Sequence, residues 1–148
     1  MYTKEKIYYE NIQNVNSKYI DSFKKNLNNP NKISNYILGK NVNKFENEFE
    51  AYNSKNKRYG VGVGNGLDAL TFSLLALNLK KNSEVLVPAN TYVASILSIV
   101  NAGLKPILID PSHLTCNLSL SQLKKRISKK TKAILVVHLY GLPCSMKE

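Results

Sequence analysis

Four short stretches hold the side chains that could do chemistry, and each follows a run of apolar residues. The most informative is Gly62-Val63-Gly64-Asn65-Gly66-Leu67-Asp68-Ala69-Leu70. Its residue types read as a strand, a tight turn and the start of a helix. Asn65 is placed to cap that helix, and Asp68, three residues on, can reach back in the manner of a capping box. Gly66, in the first turn, lets a ligand approach backbone N–H groups. Unpaired donors at a helix start attract phosphate. Local sequence leaves two readings open, a phosphate-binding turn and a plain strand-to-helix turn that needs small residues. It is not a dinucleotide fingerprint, because neither Gly60 nor Gly62 heads a G-x-G-x-x-G, and no Gly-Lys-Ser/Thr follows to make a Walker loop.

The second stretch is Pro88-Ala89-Asn90-Thr91-Tyr92. An aromatic ring at a helix start, just past a buried strand, can stack on a flat ring. The other reading of Tyr92 is a core aromatic with its hydroxyl satisfied. Taken with the glycine turn one unit earlier, it points to a flat phosphorylated ligand. Asp110-Pro111 and His138-Leu139-Tyr140-Gly141 complete the set. Cys116 and Cys144 have no metal or redox spacing, so they read as ordinary thiols and no metal site is expected.

The elements that must position these residues follow from periodicity. Val15, Tyr19, Ile20, Phe23 and Leu27 recur at helical spacing, and Pro30 ends that segment. After a loop from Pro30 to Lys40, the residues Val42, Phe45, Phe49 and Tyr52 mark a second amphipathic helix, with Glu46, Glu48 and Glu50 toward solvent. From residue 60 the texture changes. Strands are predicted at Tyr59–Gly64, Glu84–Val87, Pro106–Asp110 and Lys132–His138. Helices are predicted at Gly66–Leu79, Tyr92–Ala102 and Leu120–Ile127, the last capped by Ser119. Strands alternating with helices mean parallel βαβ units and a three-layer α/β fold with a mostly parallel sheet. Such sheets bind ligands at the carboxyl ends of their strands. The four chemical stretches all fall there. The expected division is N-terminal helices and a loop over residues 1–58, then an α/β domain over 59–148.

Length and composition fit this picture. The 148 residues, 43% hydrophobic and 21% charged, suit one soluble globular domain. No apolar run reaches the ~20 residues of a membrane-spanning helix. The start, MYTKEKIYYENIQ, lacks a signal-peptide core, so a cytoplasmic chain is expected. The net charge of +11 suggests nucleic acid, but 19 of the 21 basic residues are Lys. They are also spread out: residues 1–59 carry 11 basic and 6 acidic side chains, residues 60–148 carry 10 and 4. A nucleic-acid reader concentrates charge and leans on Arg. The one dense run, Lys124 to Lys132, reads as the solvated end of a helix.

On these residues the chain resembles the N-terminal part of the DegT/StrS family of pyridoxal-phosphate (PLP) sugar aminotransferases, from about Ile20 onward. The segments that carry the resemblance are Tyr36-Ile37-Leu38-Gly39-Lys40 with Val42, Phe45, Glu46 and Phe49; GVGVGNGLDAL; EVLVPANTYVASILSI; GLKPILID; Thr115 with Asn117; and KTKAILVVHLYGLPC. NGLDAL and PANTYVASIL look most like enzymes that aminate C3 of a dTDP-linked keto-deoxyhexose.

The resemblance implies the aspartate-aminotransferase-type (fold type I) fold, here a truncated large domain, and a homodimer with active sites at its interface. It implies PLP as cofactor, a nucleotide-sugar substrate, glutamate as amino donor, and neither nucleic acid nor membrane as partner. Asn65, Gly66 and Leu67 match the turn that binds the PLP phosphate, and many relatives have Thr where this chain has Leu67. Tyr92 matches the aromatic that stacks on the pyridine ring. Tyr36 to Gly39 match a loop near the sugar-nucleotide site and dimer interface. His138 faces the cofactor from a strand end, with a packing histidine as the alternative.

The family's Schiff-base lysine and the aspartate on its pyridinium nitrogen match nothing in the 148 residues. Lys124 has the bare spacing from Ser119 but neither the flanking aromatic nor the glycines, so no catalytic residue is assigned. The expectation is an N-terminal part that does not transaminate alone, and that is either poorly stable or needs a complementing C-terminal half. The strand at Tyr59–Gly64 would then be an exposed edge. The alternatives are a non-catalytic remnant or dimerising module of the same family, and an unrelated nucleotide- or nucleic-acid-binding α/β domain.

Overall fold

A parallel strand covered on both faces must be apolar along its whole length, and the run Val85-Leu86-Val87 has that character. In the computed structural model, which describes residues 8–29, 37–53 and 59–147, all three are fully buried. They lie in β1 (Glu84–Pro88), the central strand of a three-stranded sheet. Its neighbours are β2 (Lys105–Ile109) and β3 (Thr131–Ile134), in the order β2-β1-β3, both parallel to β1. The β1–β2 register runs from Glu84 opposite Lys105 to Pro88 opposite Ile109. The β1–β3 ladder slips by one residue, so Glu84 faces Thr131 while Val85 faces Ala133. The expected α/β fold with a parallel sheet is the observed one.

Successive residues of β1 feed two cores. Val85 and Val87 pack with Leu74, Ile99 and Leu104, and with Ala133 and Leu135 at the rim. Leu86 packs on the opposite face with Ile109 and Leu123, flanked by Ile107 and Leu118. The first core is roofed by α3 (Gly66–Ala76) and α4 (Val93–Asn101), the second by α5 (Leu120–Arg126). Ser95 and Ser98, which interrupt the apolar run of α4, are buried but satisfied. The Ser98 hydroxyl donates to the Ser95 carbonyl at 2.8 Å, and the Ser95 hydroxyl lies 2.8 Å from that of Thr91. Helix α4 ends in a Schellman turn. Gly103, at φ +72°, donates to Val100 O, and Leu104 donates to Ile99 O at 3.0 Å.

The chain divides into two units, Met1–Gly62 and Val63–Glu148, and the sheet belongs to the second. The first holds α1 (Ile12–Leu27) and α2 (Lys40–Asn53). Asn11 caps α1 by accepting the Asn14 N–H at 3.2 Å, yet α1 buries none of its residues. On α2 the rings of Phe45 and Phe49 stack, their centroids 5.7 Å apart, and both remain exposed.

Three expectations are corrected here. Tyr59–Gly64 is not a strand: it pairs with none among the described residues, and extended backbone without a ladder partner does not make one. Glu46 does not face solvent. It is half-buried, and its Oε1 accepts the Gly62 N–H at 2.6 Å, which takes the place of a ladder bond. Ser119 stands at the N-cap of α5 without a side-chain capping bond, because its hydroxyl pairs with that of Ser121 at 3.1 Å.

Burial fixes how substitutions in α4 should differ. Ile99→Ala removes a fully buried side chain and is expected to cost about 2–5 kcal/mol. Val100→Ala, at an exposed neighbour, should cost less than about 1 kcal/mol. Urea unfolding of the two variants against the parent chain checks the contrast.

Candidate functional site

The turn before α3 is built by one side chain. Asn65 has extended backbone, and its Oδ1 accepts the Asp68 N–H at 2.9 Å. Its carbonyl accepts the Ala69 N–H at 3.1 Å. The return bond differs from a capping box: the Asp68 carboxylate takes the Asn65 side-chain amide, at 3.0 Å, rather than a backbone N–H. Of the first three helical N–H groups only that of Asp68 is used. Those of Gly66 and Leu67 have no hydrogen-bond partner among the described residues.

The two glycines flanking Asn65 differ in why they are small. A Cβ on Gly64 would come within 2.9 Å of Asp68 Oδ2, which Asn65 holds in place. Gly64 is therefore dictated by the cap itself. A Cβ on Gly66 would meet nothing within 4 Å. Folding does not need a glycine there, and the space over the free N–H groups is open. A phosphate fits this arrangement: two unpaired donors, a positive helix end and room to approach. Leu67 contributes its N–H but no hydroxyl.

Tyr92 occupies the N-cap position of α4 without a side-chain capping bond, and it is 78% exposed. The core-aromatic reading therefore fails, and the ring face is free to stack. His138 follows β3 and is also exposed. Its Nδ1 accepts the Cys144 N–H at 3.0 Å. A ring nitrogen that accepts a backbone N–H carries no proton of its own, so the neutral imidazole keeps its proton on Nε2. The Cys144 thiol donates to the Val137 carbonyl at 3.3 Å, which closes the same turn. Within it Tyr140 and Gly141 both have positive φ, +54° and +81°.

Because β1 and β3 are adjacent and parallel, Tyr92 and His138 follow the same edge of the sheet. Two asparagine amides lace the loops at that edge. Asn90 Nδ2 donates to the Cys116 carbonyl at 2.8 Å, and Asn117 Nδ2 to the Leu142 carbonyl at 2.9 Å. The lacing role of Asn90 had no signal in the sequence, since an amide that reaches 26 residues along the chain leaves no local pattern. No hydrogen bond joins Asn65, Tyr92 and His138 to one another among the described residues. Nor do they line the cavities of about 610 and 500 Å³ found elsewhere in this unit. Tyr36 lies outside the described residues. Gly39, in the other unit, is buried and starts α2, its carbonyl accepting the N–H groups of Val42 and Asn43. No group of three or more His, Cys, Asp or Glu is placed to hold a metal, and no helix is long and apolar enough to cross a membrane, among the described residues.

Residues 18–148 match the model of the DegT/DnrJ/EryC1/StrS aminotransferase family, and the chain belongs to that family. It is 40% identical over 136 residues to a dTDP-3-amino-3,6-dideoxy-alpha-D-galactopyranose transaminase of Aneurinibacillus thermoaerophilus, covering 92% of this chain and 37% of that protein. It is 43% identical over 110 residues to a GDP-perosamine synthase of Escherichia coli O157:H7, covering 74% of this chain and 30% of the relative. Among solved structures it resembles DesV of S. venezuelae, with a TM-score of 0.82 at 31% identity, over 93% of this chain and 36% of that one. It also resembles NtdA of Bacillus subtilis with bound cofactor PMP, with a TM-score of 0.82 at 27% identity, over 97% of this chain and 34% of that one. The chain thus spans about a third of the length of these relatives.

The cap geometry sets one expectation. Asn65→Ala removes both side-chain bonds of the turn and should destabilise the protein by about 1 kcal/mol, while Asn65→Ser, which keeps an acceptor for the Asp68 N–H and sets no second carboxylate beside Asp68, should cost less. Thermal melts of the two variants measure the difference.

Proposed function

We propose that the chain is the N-terminal part of a PLP-dependent aminotransferase acting on a nucleotide-linked keto-deoxysugar. Similarity to the A. thermoaerophilus transaminase supports a dTDP-linked sugar aminated at C3. The GDP-perosamine synthase similarity keeps the nucleotide from being fixed by resemblance alone. Glutamate as amino donor, a homodimer and a cytoplasmic setting belong to the same reading. The observation that carries the cofactor assignment is the turn before α3. Two free N–H groups face open space over Gly66 at the start of an eleven-residue helix.

When bound, PLP supplies an electron sink and a carrier for the amino group. The chain's own residues would bind and orient it. Asn65 holds the turn rigid, and the Gly66 and Leu67 N–H groups take the phosphate. Tyr92 lays its exposed ring against the pyridine face. His138, with its proton on Nε2, offers a hydrogen-bond donor at the same sheet edge. Tyr36 and Gly39 belong to the loop proposed for the sugar nucleotide and the dimer interface. Helices α3 and α4 favour association as well, because Phe72, Leu75, Val93, Leu97 and Val100 remain exposed on them. That surface also suits the second reading, a dimerising module of the family without catalysis.

Two outcomes test the proposal. PLP, followed by absorbance and fluorescence, should bind the 148-residue polypeptide and compete with inorganic phosphate. Gly66→Ala should weaken that binding at least about tenfold, a loss of about 1.4 kcal/mol, without lowering the melting temperature. Equal affinity in parent and variant would remove the turn from the site. The same polypeptide by itself should transfer no amino group, since none of its residues is assigned the Schiff-base role. Turnover above a protein-free blank would overturn that assignment.

A further inference from the structure

Counted along the sequence the cations are spread, but the fold of the second unit gathers them. Residues 63–148 hold ten Lys and Arg side chains, and nine of them lie at the amino end of the sheet. Lys80 and Lys81 stand in the loop that enters β1, and Lys105 opens β2. Lys129, Lys130 and Lys132 surround the start of β3, and Lys124, Lys125 and Arg126 form the last turn of α5, which leads into it. All nine are exposed. The entry segments are bonded to one another. The Glu84 N–H donates to the Lys130 carbonyl, the Lys105 N–H to the Ser83 carbonyl and the Asn82 N–H to the Gly103 carbonyl, each at 3.0 Å. Neighbouring strands lie about 4.8 Å apart, so charges on adjacent entries stand within a Debye length of about 8 Å and their fields add.

Carboxylates do not offset this edge. Glu84, at the start of β1, is the sole acidic residue of these segments, and its side chain is only 13% exposed. One of its oxygens accepts the Ser128 hydroxyl at 2.7 Å, and the other lies 4.0 Å from Lys105 Nζ. No other ion pair reaches the edge among the described residues. The aspartates of the unit sit at its other end. Asp110 follows β2, and Asp68 opens α3, whose far end leads into β1. The unit is thus polarised along its strands, and the turn before α3 lies at the end away from the cations.

Two aliphatic side chains stand among the cations. Ile127, which follows Arg126, is 52% exposed, and Leu77, at the end of α3, is 55% exposed. No aromatic ring lies in residues 77–84, 102–106 or 124–132. Single-stranded nucleic acid is held by stacking on such rings, and a duplex is read by side chains, Arg above all, carried into a groove on a helix or ribbon. This edge has neither the rings nor the reading element, and Arg126 is its one Arg. A bilayer asks for less geometry: cations near its surface, and apolar side chains that enter the headgroup region. We propose that the amino edge of the sheet docks the chain peripherally on an anionic lipid bilayer. That departs from the lack of a membrane partner implied by resemblance, and it does not depend on the cofactor reading.

Sedimentation with lipid vesicles tests the assignment. The 148-residue polypeptide should bind phosphatidylcholine vesicles that contain about one third phosphatidylglycerol at least about tenfold tighter than vesicles of phosphatidylcholine alone. Each Lys near such a surface is worth about a fivefold change in affinity. The combined variant Lys80→Gln, Lys81→Gln, Lys129→Gln and Lys130→Gln should therefore bind at least about a hundredfold more weakly, with an unchanged melting temperature, because all four side chains are exposed. A control variant, Lys18→Gln, Lys24→Gln, Lys25→Gln and Lys40→Gln, removes the same charge from the first unit and should weaken binding at most about threefold.

Equal binding to the two kinds of vesicle overturns the proposal, and so does an equal loss in the two combined variants. A DNA duplex bound more tightly than the anionic vesicles at equal phosphate concentration gives the edge to nucleic acid, and overturns it likewise. A single substitution guards against misfolding. Should the edge variant melt below the parent chain, Ile127→Asp decides, since its side chain is exposed and outside both cores. It should weaken vesicle binding at least about tenfold, and unchanged binding overturns the proposal.

Discussion

Five consecutive residues, Glu84 to Pro88, hold the second unit together. Val85, Leu86 and Val87 have no exposed surface, and their alternation divides one strand between two cores. Both cores share β1, which is flanked on each side by a parallel partner. Glu84 extends the constraint to the amino end of the sheet, where its Oε2 accepts the Ser128 hydroxyl at 2.7 Å. The carboxyl end inherits its order from the same strand. The loop after Pro88 delivers Asn90 and Tyr92, and the loop after β3 delivers His138 beside them. Site geometry at that edge is thus a consequence of burying one apolar strand.

Much of this was legible in the residues. Periodicity located the helices to within a few residues, because long stripes such as Val15 to Leu27 sample several turns. Asn65 and Asp68 announced their cap through residue type and spacing, and the structure bonds them. Tyr59–Gly64 reads as a strand by the same logic but is not one, since strand formation depends on a partner and the local pattern contains none. Glu46 misled for a related reason. Amphipathic counting places it with Glu48 and Glu50, while a backbone N–H sixteen residues away draws it inward. The struts from Asn90 and Asn117 are long-range in the same sense. What sequence withheld was therefore the pairing of distant groups, and what it disclosed was periodicity and short-range chemistry.

The surface left open is informative because it is apolar in a patterned way. Helix α4 has no charged residue, and α3 has only Asp68 at its first turn. Helices without a polar face are ordinarily buried all round. Here Leu74 and Ile99 point into the core while Phe72, Leu75, Leu97 and Val100 do not. On the opposite side of the sheet Ile134 is partly bare. Isolated apolar side chains on a surface need no explanation, but contiguous ones in regular elements mark places built to be covered.

This surface also bears on where the chemistry can occur. The groups proposed above to hold a flat cofactor sit on turns and loops that hydrogen bonds within this unit already tie down. Asn65 fixes the turn, the Cys144 N–H fixes the His138 tautomer, and Asn90 ties the loop before Tyr92 to the loop after β2. Proton transfer asks for something different, a group of matched acidity held over the reacting carbon in a site that excludes water. Asn65, Gly66 and Leu67 carry no acid–base side chain, and His138 is exposed to solvent with one nitrogen committed to the backbone. The groups on this chain therefore suit binding and orientation. In the proposed function the acid–base work is left to residues other than these.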